Sequence, residues 1–155
     1  MLSHVDCLFR SEAFMNRVKS EPDGSKPWRK VCMFEITVLS HFAGAHHLRH
    51  LRGRCEALHG HNWKVEATVV SNRLNREGIV LDFGILKQRL ENILKTLDHT
   101  YLNNLPYFAK REPSSENIAR YLYDHLKKEL ARLPVTLKSV SAWESETSKA
   151  TYLGR

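Results

Sequence analysis

Two stretches of regular alternation, separated by a connection rich in histidine and arginine, constrain this chain most. Phe34, Ile36, Val38 and Phe42 alternate with polar or smaller residues, and Trp63, Val65, Ala67 and Val69 repeat the pattern. A period of two sends every second side chain to the same face, which suits a half-buried strand and argues against a helix. Two long antiparallel strands joined by the intervening connection therefore open the domain. Asp82 then offers an N-cap to a helix with apolar positions Phe83, Leu86, Leu90, Ile93, Leu94 and Leu97. After "NNLPYFAKREPSS", Ser114 or Ser115 caps a second helix in which Ile118, Leu122, Leu126 and Leu130 recur every fourth residue, and Pro134 stops it. Residues 135–144 and 149–153 read as two more strands. The predicted order is ββααββ, an α+β domain with a four-stranded antiparallel sheet and both helices on one face.

Residues 1–32 lack a comparable apolar period, and "SEPDGSKPW" within them reads as linker. They are expected to form a loosely ordered N-terminal extension, with residues 33–155 as the domain. At 155 residues and 42% hydrophobic, the chain is long enough for one real core. No apolar run approaches the ~20 residues that cross a bilayer, and the N-terminus lacks the apolar stretch of a secretory leader. Cys7, Cys32 and Cys55 are too few and too scattered for a disulfide framework, so a cytoplasmic location is expected. The net charge of +7 is spread along the chain without a Lys/Arg block or a nucleic-acid-binding motif. Neither nucleic acid nor membrane is an expected partner. A solvated basic surface is the plain reading of that charge, and attraction of a phosphorylated small molecule the sharper one.

Six of the nine histidines lie between His41 and His61. On a strand His59 and His61 share a face, with Gly60 removing bulk between them. His46, at the end of the preceding strand, is placed to supply a third imidazole. Three neutral imidazoles suit a divalent ion of borderline softness, zinc by default. An H-x-H pattern is short, however, and also occurs where histidines are simply hydrogen-bonded. Within "CEALHGHNW", residues 55–63, Cys55 is either the fourth ligand of a closed structural site or a reactive thiol beside an open one. Spacing leaves both open.

"FAGAH" at 42–46, "CEALHGHNW" at 55–63, "LDH" at 97–99, "PSSEN" at 113–117 and "WES" at 143–145 resemble, in order, the motifs of the 6-pyruvoyltetrahydropterin synthase/6-carboxytetrahydropterin synthase family. The resemblance covers residues 33–155. It implies the tunnelling fold, in which subunits join their sheets into a barrel and trimers pair into a homohexamer. It also implies that His46, His59 and His61 bind zinc and that Cys55 is a catalytic thiol outside the ligand set. Asp98 and His99 match the family's acid–base pair. Glu144 matches the carboxylate that grips the pterin ring, and Ser114, Ser115 and Glu116 would border the pterin pocket besides capping a helix. Each implied role has a physical basis. Zinc polarises side-chain oxygens of a substrate, a thiolate beside it removes a proton, and Asp98 orients His99 as a proton relay. Glu144 accepts two N–H bonds from a 2-aminopyrimidinone edge. Without the resemblance, Asp98 and His99 also read as the end of a helix, and Glu144 as a solvated charge.

The spacing C-x3-H-G-H from Cys55 resembles the branch of the queuosine pathway, a carbon–carbon lyase. Its implied reaction converts 7,8-dihydroneopterin triphosphate to 6-carboxytetrahydropterin, acetaldehyde and triphosphate. Glu56 satisfies E-x2-H-G-H, the spacing of a folate-directed branch that releases 6-hydroxymethyl-7,8-dihydropterin. That branch, or a dual activity, is the alternative, and a non-catalytic zinc-binding module a more distant one. Arg49, Arg52, Arg54 and Lys64 are the basic residues near the cluster that could hold a triphosphate.

Overall fold

The computed structural model describes residues 33–50 and 57–154. The expected extension 1–32, and Arg52, Arg54, Cys55 and Glu56, lie outside the described residues. Strand β1 (Phe34–His46) pairs antiparallel with β2 (His59–Ser71) along its whole length, from Phe34 opposite Ser71 to His46 opposite His59. The alternation seen in the sequence becomes one apolar face: Val38, Phe42, Trp63, Val65, Ala67 and Val69 are buried. Strand β4 (Thr136–Ser145) lies on the other side of β2, and β5 (Ser148–Tyr152) forms a hairpin with β4. A register shift at Thr68/Val69 lets both Leu137 and Val140 join the buried face despite their odd spacing.

Helix α1 (Phe83–Leu94) starts where Asp82 Oδ1 accepts from the Gly84 N–H at 2.6 Å, and it buries Leu86, Leu90, Ile93 and Leu94. Helix α2 (Ser115–Glu129) is capped by Ser114 and buries Ile118, Ala119, Leu122, Tyr123 and Leu126. Helix α1 packs on β1, and α2 on β4 and β5, closing a single core over the apolar face of the sheet. Among the described residues no helix is long and apolar enough to cross a membrane.

The sheet corrects the sequence expectation in one respect. Among the described residues it has five strands in the order β3-β1-β2-β4-β5, and it is mixed rather than antiparallel. Strand β3 (Thr100–Tyr101) runs parallel to β1, opposite Gly44 and Ala45. Two residues are too few to leave a periodic trace in a sequence. Tertiary contacts make this strand: His99, at φ 53, turns the chain onto the edge of β1 and donates its N–H to Ala43 O at 2.6 Å. Asp98 Oδ1 accepts from the Ala43 N–H at 2.8 Å.

Candidate metal centre

Strand register alone brings the three histidines together. His46 is the direct partner of His59, and His61 lies one inward position further along β2, opposite Gly44. The three imidazoles thus gather on the inward face, at the end of the sheet formed by His46 and His59. Their ring centroids are 4.6, 4.9 and 5.3 Å apart. The fully buried Trp63 forms the floor, edge-on to His46 at 5.2 Å and to His61 at 5.3 Å.

Two of the rings are fixed in tautomer as well as position. His46 Nδ1 donates to Pro113 O, and His59 Nδ1 to Ala57 O, both at 2.7 Å. A carbonyl only accepts, so each Nδ1 carries the proton and each Nε2 keeps its lone pair. Among the described residues Nε2 of His46 and of His61 are buried with no hydrogen-bond partner. An orphaned buried acceptor costs about 1–3 kcal/mol, and a cation supplied here would remove that cost. Burial lowers the pKa of His46, against a raising contribution from its bond to Pro113. Burial also lowers that of His61, against the nearby Glu144. Neutral imidazoles are the form that binds metal.

Glu144 joins the group from β4. Lys64 pairs with Trp143, so the next residue, Glu144, faces inward beside Trp63. Its Oε1 is 3.3 Å from His61 Nε2, without hydrogen-bond alignment, and its Oε2 accepts from Ser115 Oγ at 2.8 Å. One donor atom each from His46, His59, His61 and Glu144 lie within 4.8 Å of one another. Three imidazoles and a carboxylate are a donor set for zinc.

The segment 112–117 braces the centre. Besides Pro113 O on His46 and Ser115 on Glu144, Glu112 Oε2 accepts from the Arg49 N–H at 2.9 Å. Asn117 Nδ2 in turn donates to Glu112 O at 2.8 Å. The Arg49 guanidinium, a candidate for triphosphate from sequence, is engaged with Phe108 O at 3.0 Å and Arg111 O at 3.3 Å. Lys64 pairs with Glu146 at 3.2 Å and lies over the Trp143 ring at 4.1 Å. Ser114 caps α2 through the Asn117 N–H, and Glu116 is exposed in the first turn.

Asp98 and His99 lie outside the group of four donors. His99 Nδ1 is 3.0 Å from Asp98 Oδ2. The bond from the Ala43 N–H, followed by that from His99, holds the Asp98 carboxyl below its ordinary value. His99 lines a groove of about 440 Å³ that it shares with His61 and with Ala43, Ala45, Gly60 and Asn62. The His99 side chain is 83% exposed. Sequence reasoning missed the brace by Glu112 and the carbonyls that set the two tautomers. A main-chain acceptor has no residue-type signature, and only the "PSSEN" motif hinted at the segment.

A family model described as 6-pyruvoyl tetrahydropterin synthase matches residues 35–155. The chain belongs to that family. It is 40% identical over 116 residues to the 6-carboxy-5,6,7,8-tetrahydropterin synthase of Synechocystis, covering 72% of this chain and 86% of that one. It is 37% identical over 99 residues to the human 6-pyruvoyl tetrahydrobiopterin synthase, covering 62% and 66% of the two chains. The family fold is found in the Caenorhabditis elegans 6-pyruvoyl tetrahydropterin synthase, which matches with a TM-score of 0.73 at 25% identity. That match spans 81% of this chain and 98% of the other. The α+β architecture, with two helices on a mixed five-stranded sheet, is the one this family shares.

Proposed function

We propose that this family member is a zinc-dependent 6-carboxy-5,6,7,8-tetrahydropterin synthase of queuosine biosynthesis. It would take 7,8-dihydroneopterin triphosphate to 6-carboxytetrahydropterin, acetaldehyde and triphosphate. The observation that carries the reading is the convergence of three imidazole donors on one point beside a carboxylate. The 40% identity to the Synechocystis enzyme of that name favours the carboxy product, as does the C-x3-H-G-H spacing. Zinc held by His46, His59 and His61 would supply a Lewis acid for the substrate's side-chain oxygens.

The remaining roles belong to the chain. Glu144, oriented by Ser115, accepts the N–H edge of the pterin. Ser114 fixes the start of the helix that presents Ser115, and Glu116 borders the entrance. Cys55 removes a proton from the side-chain carbon. Asp98 holds His99 for proton relay. Because the His99 side chain is exposed and lies outside the four-donor group, the pair serves a neighbouring subunit's substrate in our reading. The open edge of β1 supports such assembly: β3 covers only Gly44 and Ala45, leaving Phe34 to Phe42 with no neighbouring strand on that side among the described residues. We infer a cytoplasmic homohexamer of paired trimers, acting on a small molecule without nucleic acid or membrane.

The test is the product formed from 7,8-dihydroneopterin triphosphate by the purified, zinc-loaded protein, identified by mass. The expected product is 6-carboxytetrahydropterin. Cys55→Ala should keep its zinc and lose about 10²- to 10⁴-fold in kcat, the range for loss of a general base, while Glu56→Gln changes little. The E-x2-H-G-H spacing favours a second reading, in which Glu56 directs release of 6-hydroxymethyl-7,8-dihydropterin. A hydroxymethyl product insensitive to Cys55→Ala would establish it instead.

A further inference from the structure

Glu144 has two claims on one oxygen. As a member of the donor group it completes a metal site with His46, His59 and His61. As the carboxylate of "WES" it is the grip on the pterin edge in the function proposed above. A bidentate grip on two N–H groups needs both carboxylate oxygens. Oε2 already accepts from the largely buried Ser115, and Oε1 is the atom that stands 3.3 Å from His61 Nε2. Metal and pterin therefore compete for Oε1.

Charge favours the metal claim while the site holds no pterin. Three neutral imidazoles leave a divalent ion wholly uncompensated above the buried indole of Trp63, and a carboxylate offsets part of that charge. The backbone favours mobility of the side chain. Glu144 lies where the β4–β5 register slips between Trp143 and Ser145, and beyond Lys64 with Trp143, the last β2–β4 pair. Such irregularities re-aim a side chain and relax its ladder. Ser115 holds the other oxygen, so the carboxylate can turn about that bond without leaving the site.

We propose that Glu144 is an exchangeable ligand. In the substrate-free protein its carboxylate is the fourth donor to the metal, and on substrate binding it passes to the N–H edge of the pterin. Pterin recognition then opens the coordination position that the substrate's side chain needs. The proposal rests on the metal and pterin readings above and adds the coupling between them. Linkage requires the coupling to be reciprocal: a pterin with no side chain to offer the metal should weaken metal retention.

The test uses the full chain loaded with cobalt(II), whose visible ligand-field bands report coordination, and a pterin lacking the 6-side chain, whose fluorescence reports binding. In the wild type the bands should change with the same midpoint as the fluorescence. Glu144→Gln should show altered bands before any pterin is added, with no further response. Its metal affinity against a chelator should fall about 10- to 100-fold or more, the effect of losing even an outer-shell partner being in that range. Ser115→Ala should retain the wild-type bands and weaken pterin. Wild-type bands that stay constant while fluorescence saturates would overturn the exchange, and that measurement depends on no variant folding. A Glu144→Gln protein with wild-type bands and affinity would overturn it equally. A wild type that takes up no cobalt, or binds no pterin, would instead overturn the metal or pterin reading beneath it, before any band is compared.

Discussion

A histidine becomes a metal ligand through what its other nitrogen does. Pro113 O and Ala57 O each accept a hydrogen bond from the Nδ1–H of one ring and so aim Nε2 of His46 and His59 at a shared point. Replacing either histidine by Ala should remove zinc from the protein, measured by metal analysis after gel filtration. The buried rings also set a pH dependence. His46 and His61 have folded-state pKa values below the ~6.5 of an unfolded imidazole, chiefly through burial. The unfolded chain therefore binds more protons as pH drops below about 6.5, and the stability these rings contribute is present above that value and lost beneath it. Urea denaturation of metal-free protein should show a lower midpoint at about pH 5.5 than at about pH 7.5, with the difference reduced in His46→Gln. An unchanged midpoint in the wild type would contradict the burial argument. Asp98 has the same sign in a more acidic window. Its carboxyl is held down by the Ala43 N–H, so its contribution holds above the usual carboxylate range and disappears as pH falls through it.

The elements divide the work between scaffold and brace. Strands β1 and β2 place the imidazoles by register, and the stretch leading into α2 holds His46, the Arg49 backbone and Glu144 by hydrogen bonds from outside the sheet. Glu112 and Glu116 are four residues apart and test that division. Glu112 is a quarter exposed and accepts the Arg49 N–H, whereas Glu116 is exposed in the first turn of the helix. Glu112→Ala should cost about 1–3 kcal/mol in chemical denaturation, because it strands a partly buried donor. Glu116→Ala should cost under about 1 kcal/mol, the value of a carboxylate at a helix N-terminus. Equal effects would mean that Glu112 braces nothing. In the core, Leu90→Ala and Leu122→Ala should each cost about 2–5 kcal/mol, since both side chains are fully buried between helix and sheet.

At the scale of the molecule, the sheet ends in an open edge. Strand β1 is thirteen residues long, and among the described residues its outer side pairs only with the two residues of β3. An edge this long invites pairing with another chain. Light scattering should therefore find a species several times the 18.0 kDa chain mass. A fully active monomer would contradict the placing of Asp98 and His99 at a neighbour's site. A chain starting at Met33 should keep its zinc, its assembly and its rate, because residues 1–32 lack an apolar period long enough to add to the core.

Alternating residues in β1 and β2, the caps Asp82 and Ser114, and the fourfold spacing of Ile118, Leu122 and Leu126 are local signals, and each formed the element its pattern implies. They are legible because burial of one face is the dominant driving force and the backbone period converts it into residue order. The H-x-H pair is legible for the same reason: two positions apart on a strand is one face. Meeting of His46 with His59 depended on strand register, and entry of Glu144 depended on β4 lying against β2 with a slip beside it. Neither leaves a trace in residue order, since the partners are distant in sequence and the acceptors are main-chain carbonyls that every residue carries. The fifth strand is of the same kind. Thr100 and Tyr101 form a strand only because Asp98 and His99 bind the edge of β1 at Ala43, a contact that exists only once the sheet has folded.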